Sequence, residues 1–287
     1  MKNFFRKFIL STLGKSVLLL PHSLVNKSYP TAAKSVHGFW YVGNVYDTSS
    51  IAYGIARNGE VEKEEVAVAV SVLKQLQPNF SFVDIGAHTG YYSILTSTLF
   101  PQSRITALEP GKEFIKEFQM SIDINNVTNI TILDVAAGKE NSTGILHMQG
   151  SGSSLSPWFK STTSSEARTV HIKTLDGLFH SKQSVEFIKI DAEGFEYEIL
   201  QGAKSLLSSE KPLLYVEIGG DLSVLDRKST NPNFTETFTY MQSLGYDAYE
   251  FSTGKKEKVI HSQPWSGIRM CLFAHKDKHS DIVRKIS

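Results

Sequence analysis

The sequence predicts an α/β fold, a mostly parallel sheet with helices on both faces. Three observations carry the prediction. From Phe80 onward, short runs rich in β-branched and aromatic residues alternate with longer segments of helical periodicity. The strand-like runs "FSFVDI", "VEFIKI" and "PLLYVEI" are apolar almost throughout, as strands covered on both faces are. Several of these runs end on an acid close to a glycine or proline, at the carboxyl end where such sheets bind ligands.

The chain of 287 residues is long enough for one large domain with an extension. We divide it into a basic amphipathic segment over residues 1–30 and a single domain over 31–287. The first 21 residues carry Lys2, Arg6, Lys7 and Lys15 and no acid. Lys15 splits the apolar stretch, which is then too short to span a bilayer. The expectation is a helix packed on its own domain. A peripheral contact of residues 1–20 with an anionic membrane is the other reading. The net charge of +1 argues against nucleic acid as a partner. The single cysteine, Cys271, fits a reducing, cytoplasmic compartment and reads as a core thiol in "RMCLFA".

The elements follow in order. Residues 31–60 are aromatic and turn-rich, and "GFWYVGNVY" reads as a strand or hairpin leading into the domain. Residues 60–78 alternate valines like a strand but also form a helical face through Val66, Ala69, Val70, Leu73 and Leu76. The acidic start and the length favour a helix ended by Pro78. Strands are expected over 80–85, 104–109, 130–137 and 185–190. Helices are expected over 90–100, over 110–125 with Phe114, Ile115, Phe118 and Ile122 aligned, and over 195–208 as one element. Residues 138–170, including "QGSGSSLSPWFKSTTSSE", read as a long surface loop. Strand and short helix return in "TVHIKTLDGLF". A strand over 212–219 and a helix closed by Gly245 follow, then β-like runs at 247–251 and 268–274.

The first strand–loop–helix, "FVDIGAHTGYY", carries the chemistry. A dinucleotide fingerprint has glycine where His88 stands, and Asp84 would repel a pyrophosphate. A positively charged ligand would instead be attracted there. S-adenosylmethionine has a sulfonium and an ammonium against one carboxylate. Asp84 attracts the ammonium, Gly86 admits the ligand to the backbone, and the amides near Gly90 face the carboxylate. Ala87, His88 and Tyr91 complete this loop. The second strand ends at Glu109, placed to accept from both ribose hydroxyls or, alternatively, to cap the next helix before Pro110. The third ends in "LDVAAG", where Asp134 takes the adenine amino group and Ala136 lies against the ring.

"FVDIGAHTGYYSI", "ALEP", "DVAAG", "GSSL", "TLD" and "IKIDAEGFEYEILQGA" stand in the order and rough spacing of the FkbM-type methyltransferases, which the chain resembles over about residues 60–275. The resemblance implies a Rossmann-like class I methyltransferase fold, with a seven-stranded sheet whose last strand is antiparallel. It implies S-adenosyl-L-methionine as cofactor and O-methylation of a sugar, glycan or secondary-metabolite hydroxyl. His88 departs from the asparagine frequent in the family.

Methyl transfer to an alcohol needs positioning and a place for a proton. Asp191, then Glu193, are the candidates nearest the methyl and acceptor. Glu217 would line the same pocket or serve as a structural acid. These three would hold Mg²⁺ if a metal were used, although the sequence requires none and shows no zinc spacing. Glu196 and Glu198 read as solvated helix positions. Ser153, Ser154 and Trp158 offer hydroxyls and a ring for a polyol, so residues 149–165 are expected to act as a substrate lid. The alternatives are a non-catalytic module retaining the cofactor fold and an NAD-dependent oxidoreductase. A nucleic-acid methyltransferase is disfavoured by "DAEG" after the fourth strand.

Overall fold

A computed structural model of the chain describes residues 17–19, 31–147, 155, 167–179, 184–219, 233–252, 255–259 and 267–286. The chain enters through a three-stranded antiparallel sheet, β1 (Val17–Leu19), β2 (Thr31–Lys34) and β3 (Trp40–Val42), with β2 central. Helix was expected around 17–19, and the backbone there is strand. Its pairing with Thr31–Ala33 meets the hydrogen-bonding needs that a helix would otherwise meet internally. Helix α1 (Ile51–Asn58) was not foreseen in the turn-rich lead-in. Ser50 caps it, its side chain accepting from the Tyr53 amide. Helix α2 (Lys63–Leu73) resolves the valine-rich ambiguity: Val66, Ala69, Val72 and Leu73 are its buried face. It stops short of Pro78, because residues beyond Lys74 turn to meet the first strand of the main sheet.

That sheet is built from β4 (Ser81–Ile85), α3 (Tyr91–Leu99), β5 (Arg104–Leu108), α4 (Lys112–Asn125) and β6 (Ile130–Leu133). The expected third strand breaks at Asp134. Its remainder, β7 (Ala136–Ala137), joins β8 (Ser142–His147) and β9 (Ala167–Lys173) in a separate three-stranded sheet. The long surface loop is thereby corrected: its two ends are strands held by a six-residue-pair antiparallel register. The short helix α5 (Leu175–Leu178) follows, capped by Thr174. Then come β10 (Phe187–Ile190), α6 (Glu196–Gln201), α7 (Lys204–Ser209) and β11 (Leu213–Gly219). The helix expected over 195–208 is therefore two helices. The chain ends with α8 (Phe234–Ser243), β12 (Tyr246–Ser252), β13 (Lys255–Lys258), β14 (Ile268–His275) and α9 (Lys276–Lys285). Gly245, at φ 86°, turns the chain out of α8 as expected.

The main sheet has the order β13-β12-β14-β11-β10-β4-β5-β6. Strands β6, β5, β4, β10 and β11 are parallel, and β14 is antiparallel to both its neighbours. This is the expected sheet with its last strand reversed, plus an eighth edge strand. Strand β13 is a charged hairpin arm on β12, and lysines suit an exposed edge.

The strands' period of two sorts their side chains between two cores. Phe82, Phe187, Leu213 and Tyr215 face one core, with Phe39, Val72 and Phe118. Val83, Ile188, Leu214 and Val216 face the other, with Leu200, Phe238, Met241 and Cys271. Cys271 is a buried core thiol, as its surroundings in the sequence suggest.

At the break between α6 and α7 the Gly202 carbonyl accepts from the Asp176 amide, outside the helix. A Cβ on Gly202 would stand 2.0 Å from the Gly138 carbonyl oxygen. Its φ of −77° is open to any residue, so the demand is for space alone. Gly202→Ala should destabilise the protein by about 1–3 kcal/mol in urea unfolding, with the m value unchanged. Wild-type stability in that variant would show that the close approach is dispensable.

Candidate active site

Along β4, β10 and β11 the positions facing the first core run from apolar to ionisable at the carboxyl ends. They read Phe82 then Asp84, Phe187 then Lys189, and Tyr215 then Glu217. Beyond these ends lies a cleft of about 320 Å³. Its walls include Gly86 and His88 from the first loop, Glu109 and Pro110 after β5, Ala136 and Ala137, Asp191 and Glu193, Phe195, and Glu217. The lead-in contributes Ser49, Ile51 and Glu62.

The first loop is held by its glycines. Gly86 has φ 69°, and a Cβ there would fall 1.8 Å from the Asp191 carbonyl oxygen. Its need is thus for close packing between the β4 and β10 loops as well as for ligand access. Gly90, at φ 82°, lies against the Phe118 ring, where a Cβ would come within 2.1 Å. His88 also takes a left-handed conformation, φ 51°. Its ring packs on Phe114 at a centroid distance of 4.0 Å, and its Nδ1 lies 2.9 Å from the Thr89 hydroxyl.

Glu109 organises the next wall. The amides of His88 and Gly111 donate to its two carboxylate oxygens, each at 2.7 Å. The second of these contacts is the cap-like role that the sequence left open, and the carboxylate also lines the cleft. Burial pushes Glu109 up to about 7, against the pull of those two amides.

Asp191, Glu193 and Glu217 come together, with one oxygen from each within 4.8 Å of the others. Such oxygens suit Mg²⁺, but a cation already stands on one side: the Lys189 ammonium donates to Asp191 Oδ2 at 3.0 Å. Burial pushes Glu193 up to about 7, with Asp191 adding to it. Burial raises Glu217 well above the carboxylate range, with Asp191 and Glu193 reinforcing the effect. Glu62 is likewise raised by burial, while Lys189 opposes the shift. The Tyr92 hydroxyl donates to Glu62 at 2.9 Å.

Other expected residues take different places. Asp84 is 1 % exposed and does not line the cleft; it accepts from Ser93 Oγ at 2.6 Å, one layer behind the wall. Ala87 is buried and accepts from the Gly90 amide. Tyr91 belongs to an aromatic core cluster with Phe39, Tyr41 and Tyr92. Asp134 is exposed at the strand break and outside the cleft wall, whereas Ala136 lies in it. Glu196 is not solvated. It is buried, and its Oε1 accepts from the amides of Ala192 and Gly194, holding the loop after β10. Glu198 is partly buried, with Asn233 Nδ2 3.4 Å away. Ser153, Ser154 and Trp158 lie outside the described residues, while Leu155 lines the cleft. Among the described residues no helix is long and apolar enough to cross a membrane.

Lys189, Glu62 and Phe195 stand at or just behind the cleft without having been singled out as site residues from the sequence. Lys189 had a signal, a lysine inside the otherwise apolar strand "FIKI". Glu62 had none, since it lies in an acidic run that reads as a helix start.

A family model described as the methyltransferase FkbM domain matches residues 84–248. The chain belongs to this family. It is 25% identical over 154 residues to "Methyltransferase 1" of Beauveria bassiana, a match covering 44% of this chain and 59% of that protein. The chain thus spans about three fifths of the curated relative it matches. Among solved structures, an FkbM methyltransferase from Methylobacillus flagellatus is similar with a TM-score of 0.47 and 18% identity, over 70% of this chain and 45% of that one. M. jannaschii TYW2 in complex with AdoMet is similar with a TM-score of 0.46 and 13% identity, over 91% and 94%.

The raised carboxyls set a pH dependence. A carboxyl lifted from 4.5 to about 7 binds more protons folded than unfolded between those values. Its contribution to stability is therefore present at low pH and is lost as pH rises through about 7. Thermal stability of the ligand-free protein should fall from pH 5 to pH 8. Glu193→Gln should flatten that fall, with roughly one proton less linked to unfolding. An unchanged slope in the variant would count against a neutral Glu193.

Proposed function

We propose that this member of the FkbM methyltransferase family binds S-adenosylmethionine in the cleft and methylates a hydroxyl group of a neutral sugar, glycan or secondary metabolite. The observation that carries the reading is the pairing of Glu109 with an acid-rich far wall in one cleft. Glu109 is oriented by two backbone amides, and its remaining lone pairs are available to a ribose diol. Ala136, Ala137 and Pro110 give an apolar wall suited to a flat base. Asp191, Glu193, Glu217 and Glu62 face the cleft, with Lys189 behind Asp191. Carboxyls that give up protons most readily beside a cation favour a ligand of positive charge and disfavour a pyrophosphate. That balance supports S-adenosylmethionine over NAD.

When bound, S-adenosylmethionine supplies a methyl group activated by a sulfonium. The chain's part is to bind, orient and manage a proton. Asp191 is the residue we assign to the acceptor hydroxyl, which it would orient and whose proton it would receive. Glu193, pushed up to about 7, flanks it and supplies a site to which that proton passes, and Glu217 closes the wall beside them. Asp84, one layer back, adds to the negative field without touching the ligand. The same wall should reject acceptors that carry phosphate or carboxylate groups.

The test is S-adenosylhomocysteine formation by the full chain with S-adenosylmethionine and a panel of neutral glycosides, uronic acids and sugar phosphates. O-methylated product is expected from neutral members, with little from the anionic ones. Asp191→Asn should lower kcat by about 10²–10⁴-fold, a far larger effect than on S-adenosylmethionine affinity. Cofactor binding without turnover on any hydroxyl acceptor would favour the non-catalytic alternative.

A further inference from the structure

Lys189 is a lysine in the middle of a strand, 4 % exposed, and the cleft wall does not include it. A buried ammonium needs compensation, and this one has it on several sides. Its ammonium lies 4.8 Å from the centre of the Tyr92 ring, on α3. Across the sheet its register partner is Asp84 on β4, itself tied to α3 by Ser93. Forward along the chain it donates to Asp191 at 3.0 Å. Asp191 in turn meets Glu193 and Glu217 at the cleft.

We propose that Lys189 is the positioning residue of the cleft's acid-rich end: its ammonium, anchored between Tyr92 and Asp84, holds the Asp191 carboxylate in the wall against the repulsion of Glu193 and Glu217. This rests on the proposed function only in naming that end as the acceptor's. Three carboxyls with oxygens within 4.8 Å of one another would otherwise splay or share protons. One fixed cation on the far side of Asp191 removes that choice and leaves its other oxygen to the cleft. Charged and titratable groups reach Lys189 from every packed element. They are Asp84 on β4, Tyr92 on α3, Glu62 at the start of α2, Asp191 and Glu193 after β10, and Glu217 on β11. Burial alone would depress the lysine, and Asp191, then Asp84 and Glu62, outweigh it, so the ammonium stays charged.

The experiment is ¹³C NMR of the full chain with labelled lysine, the Lys189 ¹³Cε resonance being assigned by its absence in Lys189→Arg. That resonance should shift in Asp191→Asn, where the ion pair is lost, and stay in place in Glu198→Gln. No shift in Asp191→Asn would overturn the proposal. The readout uses neither cofactor nor acceptor, so failure of the methyl-transfer reading would leave this result interpretable. With an acceptor in hand, Lys189→Met should lower kcat and leave cofactor affinity in place, and equal losses in both would contradict a positioning role.

Discussion

The backbones at the ends of β4 and β10 touch. Gly86 leaves no room for a side chain beside the Asp191 carbonyl oxygen, and the Asp191 amide donates to Ile85. This contact fixes the first loop, the Asp191 backbone and the Lys189 register together. Gly86 lies in the cofactor half of the cleft as we read it, and Asp191 in the acceptor half. A shift of one strand relative to the other would therefore move both halves at once. The parallel register of Phe82–Ile85 against Phe187–Ile190 is held by an apolar core on each face, so the site inherits the rigidity of the sheet.

The electrostatics follow from where the sheet's apolar faces stop. Asp84, Lys189 and Glu217 occupy the last positions of one face, where the covering helices give way to the cleft. Burial there is deep enough to raise the carboxyls, and a single lysine offsets part of their charge. The result is a wall that is acidic but partly protonated near neutral pH. Such a wall tolerates a cationic ligand and can take up a proton, two demands that methyl transfer to an alcohol makes of its surroundings.

Much of this is legible in the sequence. Buried strands announce themselves as apolar runs, and the acids at their ends mark Glu109, Asp191, Glu193 and Glu217. What the sequence hides depends on tertiary contacts. The period of two, applied to "FIKI", sets Lys189 on the same face as Phe187, so its burial can be inferred; its partners cannot. Glu196 looks solvated because helix periodicity does not register a carboxylate that turns back to hold the preceding loop. Asp134 and Tyr91 look like ligand contacts by position along the motif. A strand break at the former and an aromatic cluster around the latter direct them elsewhere. The strand at 142–147 is hidden because it finds its partner, 167–173, across a long intervening segment. Glycines 86 and 202 are legible as special positions, but the atoms that require them belong to distant parts of the chain.

The cleft, as we read it, is built for an adenosyl ligand without a pyrophosphate, gripped through Glu109. Thermal unfolding with S-adenosylmethionine, S-adenosylhomocysteine or NAD tests this most directly. A ligand at about 100 times its Kd stabilises by about 2.7 kcal/mol. Both adenosyl ligands should raise the unfolding temperature of the wild type, NAD should not, and Glu109→Ala should abolish the effect. Stabilisation by NAD alone, or by the adenosyl ligands equally in Glu109→Ala, would contradict a cleft of this kind.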